Sequence, residues 1–209
     1  MAIPGLIAKQ LGRPSGWFGR YVMGRFLNRK TAAHNEMVRQ ELAPAPGDRV
    51  LEVGFGGAAL LERLSGEVSH GSVAGVEISD EMLALARKRL RRPIAAGRVV
   101  VTRGSVEALP FGDEEFDKAC TVNTTYFWSD LGAGLSEVRR VLRPGGRLVV
   151  GFVSPDDIVR DGLHRHGFAL HSAEELGVAL QTASFTVGRL RSGSDSRGTF
   201  YVLAAERAG

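Results

Sequence analysis

Short apolar runs alternate along this chain with longer stretches in which apolar residues recur every three or four positions. The runs Arg49–Val53, Ser72–Val76, Arg98–Thr102, Phe116–Val122 and Arg147–Val153 have the length and composition of strands. Between them, residues 58–65 set Leu60, Leu61 and Leu64 on one helical face. Leu131–Leu142 repeats that period until Arg143-Pro-Gly-Gly146 breaks it. Ser79 has the position of a helix cap, with Asp80 and Glu81 in the first turn and Lys88, Arg89, Arg91 and Arg92 at the end. Acid first and base last complements the helix dipole. Upstream, Thr31–Leu42 reads as a helix stopped by Ala43-Pro-Ala-Pro-Gly-Asp48. Alternation of this kind predicts right-handed βαβ units in a doubly wound, mostly parallel sheet.

The tail follows a different pattern. Ser172-Ala-Glu-Glu175 is a capping box that opens a helix reaching about Ala183. Two β-rich runs follow, Phe185–Leu190 and Thr199–Ala205, joined by a turn-forming stretch from Ser192 to Gly198. A hairpin requires one strand to run against the others. No internal repeat and no second domain is visible, so residues 1–209 read as one domain, with an arm at 1–46 and a core at 47–209.

Composition narrows the function classes. A chain of 209 residues, 44% hydrophobic, suffices for a complete α/β core. The single Cys120 lies in an apolar run and reads as core filler, and one cysteine permits no internal disulfide. No apolar run approaches the length of a membrane span, and no signal-peptide pattern stands at the N-terminus; a cytoplasmic setting is expected. Charge is uneven. Within residues 1–40, Lys9, Arg13, Arg20, Arg25, Arg29, Lys30 and Arg39 face Glu36 alone, so the remainder is slightly acidic although the whole chain carries +4. The arm interleaves these cations with Trp17, Phe18, Tyr21 and Phe26. It offers either a weak membrane-surface contact or a lid over the site; no nucleic-acid partner is expected.

The chemistry concentrates in Val50-Leu-Glu-Val-Gly-Phe-Gly-Gly-Ala-Ala59. A strand enters a glycine turn that opens a helix, and a second strand ends in Glu77. Glycines let a ligand approach the backbone, and an acid closing the second strand can accept from ribose hydroxyls. Alone, this fragment fits a nicotinamide enzyme and a nucleoside-sulfonium enzyme equally well. Three further segments separate them: Glu52 just ahead of the turn, Gly104-Ser-Val-Glu-Ala-Leu-Pro-Phe111 after the third strand, and Leu142-Arg-Pro-Gly-Gly146 before the fifth.

Over about 47–153 these motifs resemble the class I S-adenosylmethionine-dependent methyltransferases, in particular the ubiquinone/menaquinone-methyltransferase-like small-molecule branch. The resemblance implies a Rossmann-like, seven-stranded sheet of order 3-2-1-4-5-7-6 with strand 7 antiparallel, and a helical N-terminal lid. It implies S-adenosylmethionine as cofactor, S-adenosylhomocysteine as product and a small-molecule or lipid-like acceptor. It places Gly54 and Gly56 against the methionine part, Glu52 near the amino group, and Glu77 on the ribose hydroxyls. Ile78 and Met82 would pack on the adenine, Ser105 and the Val106 backbone would meet its edge, and Asn123 would face the methionine moiety. Two positions depart from the family pattern: Ala58 stands where a third glycine is usual, and Ser105 where an acid is. A hydroxyl accepts a hydrogen bond more weakly than a carboxylate.

For the acceptor side, Tyr126, Phe127 and Trp128 follow the fourth strand and would wall the transferred methyl group; Tyr21 is expected to join them from a lid spanning Gly16 to Gln40. His34, His70, His164, His166 and His171 are the histidines from which a general base would come. Each reads better as a solvated or structural residue, so no catalytic residue is assigned, and no metal site is expected. A nicotinamide-dependent oxidoreductase and a non-catalytic basic-arm protein that binds membrane or nucleic acid remain the competing functions.

Overall fold

Seven strands form one sheet in the order β3-β2-β1-β4-β5-β7-β6 in the computed structural model, which describes residues 31–195 and 198–209. The strands are β1 (Arg49–Val53), β2 (Ser72–Glu77), β3 (Val99–Arg103), β4 (Phe116–Val122), β5 (Leu142–Val153), β6 (Phe185–Asp195) and β7 (Gly198–Arg207). Pairings from β3 to β5 are parallel, and β7 runs antiparallel to both β5 and β6. Strand order and the reversed strand agree with the sequence expectation.

Helices cover both faces because successive strand residues point to opposite sides. Leu51, Leu148 and Val150 face α5 (Leu131–Val141) and α7 (Ala173–Thr182). Their neighbours Val50, Val149 and Cys120 face α1 (Ala32–Leu42), α2 (Ala59–Glu67) and α3 (Asp80–Arg89). Cys120 is fully buried in that second layer, and burial pushes its thiol upward, away from ionisation. A short α4 (Arg91–Ala95) follows α3, and α6 (Pro155–Arg160) follows β5. The caps read from the sequence form: Met82 N–H donates to Ser79 Oγ at 3.4 Å, and Ser172 and Glu175 exchange bonds of 2.8 and 3.1 Å.

Three local expectations change. Arg143–Gly146 does not separate helix from strand; β5 already pairs at Leu142↔Phe116, and the segment bulges out before pairing resumes at Arg147↔Lys118. Strand β6 continues past Leu190 to Asp195, so Ser192–Asp195 is strand and not turn. Small residues there admit a neighbour: a Cβ on Gly193 would lie 2.6 Å from Phe200 Cζ. Finally, the helix placed in the arm, α1, packs Val38 and Leu42 on the sheet, with His34 Nε2 3.0 Å from the Tyr201 carbonyl oxygen. Tyr21 and the rest of the expected lid before Thr31 lie outside the described residues.

Candidate functional site

The carboxyl ends of β1 to β5 surround a cavity of about 270 Å³. Glu52, Gly54, Gly56, Glu77, Ile78, Met82, Ser105, Val106, Asn123, Tyr126 and Trp128 all line it. Four strand ends thus bring together residues drawn from a sequence span of more than seventy positions, as a doubly wound sheet requires at the point where its strand order reverses.

The glycine turn has a specific geometry. Gly54 takes φ +70°, donates to the Val76 carbonyl at 2.8 Å, and sits so close to Thr124 that a Cβ would lie 2.5 Å from its methyl carbon. Only glycine fits there. Ala58, in place of the third glycine, is also left-handed, at φ +57°, and caps α2. That conformation costs an L-residue about 1 kcal/mol or more, and the full burial of its methyl group offsets part of it.

Glu77 organises this turn. Its Oε2 accepts from Gly56 N–H at 2.9 Å, and its Oε1 from Ile78 and Ser79 N–H at 2.9 and 3.0 Å. Three backbone donors occupy most of its acceptor capacity and leave room at the cavity for a further hydroxyl donor. Burial nevertheless pushes its carboxyl upward. Glu52 is buried more completely, and one of its oxygens, Oε2, has no hydrogen-bond partner. Burial and then the nearby Glu77 charge push Glu52 well above the usual carboxylate range, while the Leu61 N–H at the start of α2 pulls the other way.

Sequence reasoning missed Glu107, which also lines the cavity. Its Oε1 accepts from Ser129 N–H and Oγ–H at 2.9 Å each, and its Oε2 accepts from Ser105 Oγ–H. Burial opposes ionisation, but the Ser105 and Ser129 hydroxyls and two backbone N–H groups hold the carboxyl down at about 2. The acid in the segment Gly104–Phe111 was the available signal; its contact across to Ser129 was not.

On the acceptor side, Phe127, Leu163 and Phe168 join Tyr126, Trp128 and Val153. Phe127 and Phe168 meet edge to face at 4.6 Å. Tyr126 is a positioning group: its hydroxyl accepts from Val153 N–H and donates to Asn123 Oδ1 at 3.4 Å, pinning the loop after β4 to the end of β5. Trp128 donates from Nε1 to Thr124 Oγ1 at 3.2 Å and packs against Gly134 of α5. Met82 is fully buried in the helical layer while touching the cavity, whereas Ile78 is 45% exposed at its rim. Thr31 and Asn35 reach the opening from α1 and its cap. No histidine lines the cavity among the described residues: His34 is buried under the sheet, and His164 and His166 lie in the 3-10 turn Leu163–His166.

Charge gives the cavity its character. Among the described residues it is lined by three carboxylates, Glu52, Glu77 and Glu107, and by no lysine, arginine or histidine.

Comparison with known proteins supplies context for this geometry. Residues 51–150 match the family described as methyltransferase domain. The chain is similar to the O-methyltransferase cnsE of Penicillium expansum, 32% identical over 152 residues, covering 70% of this chain and 55% of that protein. It is similar to the ubiquinone/menaquinone biosynthesis C-methyltransferase of Geobacter sulfurreducens, 37% identical over 105 residues, covering 50% of this chain and 41% of that protein. The chain therefore spans about half the length of these curated relatives. Its fold matches the crystal structure of a geranyl diphosphate C-methyltransferase from Streptomyces coelicolor, with TM-score 0.75 at 18% identity over 96% of this chain and 88% of that one.

Proposed function

The chain belongs to the class I S-adenosylmethionine-dependent methyltransferases, and from that premise we propose that it methylates a small, uncharged or cationic, largely apolar acceptor. The observation that carries this reading is the acidic lining: among the described residues, Glu52, Glu77 and Glu107 stand beside a glycine turn with no lining cation. A sulfonium and an ammonium suit such surroundings. A dinucleotide pyrophosphate does not, because it needs free N–H donors at the turn. Here Gly56 N–H is taken by Glu77, and Leu61 N–H is directed to Glu52. The orphaned Glu52 oxygen is a ready acceptor for an ammonium group, directly or through water.

In this reading Glu77 accepts from a ribose hydroxyl with its remaining acceptor capacity, and Gly54 and Gly56 admit the methionine part. Ile78 and Val106, at the ends of adjacent strands, flank the base. When bound, S-adenosylmethionine supplies an already activated methyl group for in-line displacement. The chain's own contribution is therefore alignment and exclusion of water. Tyr126, Phe127, Trp128, Leu163 and Phe168 supply the apolar wall for both. Among the described residues, no histidine or cation lines this half to meet a phosphate or carboxylate on the acceptor.

Calorimetry with S-adenosylmethionine, S-adenosylhomocysteine and NAD tests the cofactor. Binding of the first two and none of NAD is expected, and the reverse would overturn the reading. A screen of phenols, amines, quinone precursors and lipids, read by homocysteine release after enzymatic cleavage of the product, tests the acceptor. Turnover confined to phosphorylated or carboxylated compounds would reject the apolar, non-anionic class.

A further inference from the structure

Ser105 stands where an acid would be expected to take the adenine amine, yet the structure puts a carboxylate directly behind it. The Oγ proton of Ser105 is given to Glu107 Oε2, and the Glu107 backbone N–H approaches the same Oγ at 3.4 Å. One lone pair of Ser105 Oγ is left for a further donor. Glu107 has no ion-pair partner among the described residues; hydroxyl and backbone donors alone offset its charge. A hydroxyl that donates to a carboxylate becomes a stronger acceptor, because the bond polarises electron density onto its oxygen.

We propose that Ser105 and Glu107 act as a relay in which Glu107 polarises Ser105 Oγ to accept the exocyclic amine of the adenine, so that the pair selects a 6-amino over a 6-oxo purine. The proposal rests on the cofactor reading above. It makes Glu107 a positioning residue and Ser105 the group that touches the base. A 6-oxo purine would set its carbonyl oxygen against the Ser105 lone pair and leave both without a donor. Sites built to accept from a ligand N–H reject analogues that lack it.

The test compares the full chain's affinity for S-adenosylhomocysteine and for S-inosylhomocysteine, its 6-oxo counterpart, by calorimetry. The unaltered protein is expected to prefer the adenine compound by about tenfold or more, the scale of a charge-assisted hydrogen bond. Ser105→Ala and Glu107→Gln should each abolish most of that preference while changing affinity for the inosine compound little. Ser105→Asp in the Glu107→Gln background should restore it, by placing a carboxylate at the base itself. Ser129→Ala removes one of the other bonds to Glu107. It should lower the melting temperature without altering base preference, whereas a purely structural Glu107 would make Ser129→Ala and Glu107→Gln behave alike.

Preference that persists in both Ser105→Ala and Glu107→Gln overturns the proposal. So does preference lost in Glu107→Gln but kept in Ser105→Ala, which would make Glu107 the direct acceptor. An unaltered protein that binds both compounds equally defeats the relay alone. One that binds neither defeats the cofactor reading with it.

Discussion

The two ends of this sheet follow opposite electrostatic rules. At the amino ends of the parallel strands, acids and bases are matched: Arg49 with Glu115 at 2.8 Å, Lys118 with Asp48 at 2.8 Å, Arg143 with Asp117, and Arg207 with Glu114 at 3.0 Å. At the carboxyl ends, Glu52, Glu77 and Glu107 line a cavity with no lysine, arginine or histidine among the described residues. Instead, backbone N–H groups and hydroxyls meet these acids, and one Glu52 oxygen meets nothing. Where water screens such a pair, as at the half-exposed Arg49, it contributes little. At the second end, ionising the buried Glu52 and Glu77 costs stability, whereas hydroxyl and N–H donors hold Glu107 ionised. The two ends thus differ in what meets an acid: a cationic side chain at one, backbone N–H groups and hydroxyls at the other.

The largest expected effect breaks the cavity end. Glu77→Ala removes the acceptor proposed for the ribose and strands the N–H groups of Gly56, Ile78 and Ser79. Affinity for S-adenosylhomocysteine should fall by about tenfold or more, and unfolding free energy by about 1–3 kcal/mol. Calorimetry and denaturant melts check both; an unchanged dissociation constant in a folded variant would remove Glu77 from the site.

A second substitution reads the unmatched charge directly. The folded state raises the Glu52 carboxyl above its unfolded value. Its contribution to stability is therefore complete below the unfolded value, and it is lost as pH rises through the folded one. Across that window the unaltered protein should lose up to about 1.4 kcal/mol per pH unit to this group. Glu52→Gln cannot ionise. It should match the parent in stability at acid pH, exceed it at neutral pH, and flatten this part of the profile. Denaturant titrations over a pH series measure the difference; parallel profiles would show that Glu52 is stabilised as a carboxylate by partners other than those seen.

The smallest effect belongs to the matched end. Arg49 is half exposed beside Glu115. Arg49→Ala should cost no more than about 1 kcal/mol, less at high salt, with cofactor affinity unchanged. A shift in affinity comparable to that of Glu77→Ala would erase the distinction between the two ends.

Much of this was legible in one dimension. Strand and helix order, the caps at Ser79 and Ser172, the glycine turn and the acid ending β2 are all set by residues within a few positions of one another. Local periodicity and spacing encode such features directly. The seven-strand order came from the family resemblance, and the antiparallel strand from the tail hairpin as well. Where local preference and packing disagreed, packing prevailed: Ser192–Asp195 has the composition of a turn but pairs with β7, and Ala58 occupies a glycine's conformation.

What only the tertiary structure decided are meetings between distant positions. Glu107 reaches Ser129 across 22 residues, Tyr126 ties the β4 loop to Val153 across 27, and Leu163 and Phe168 return from beyond β5 to wall the cavity. Nothing in the spacing of these residues announces the contacts. They arise because the parallel sheet carries every strand's carboxyl end to one edge, where side chains are selected by what faces them across the gap and not by what precedes them along the chain. The sequence alone therefore specified the scaffold and the glycine turn. The absence of any cation from the described lining became visible only once five strand ends stood side by side.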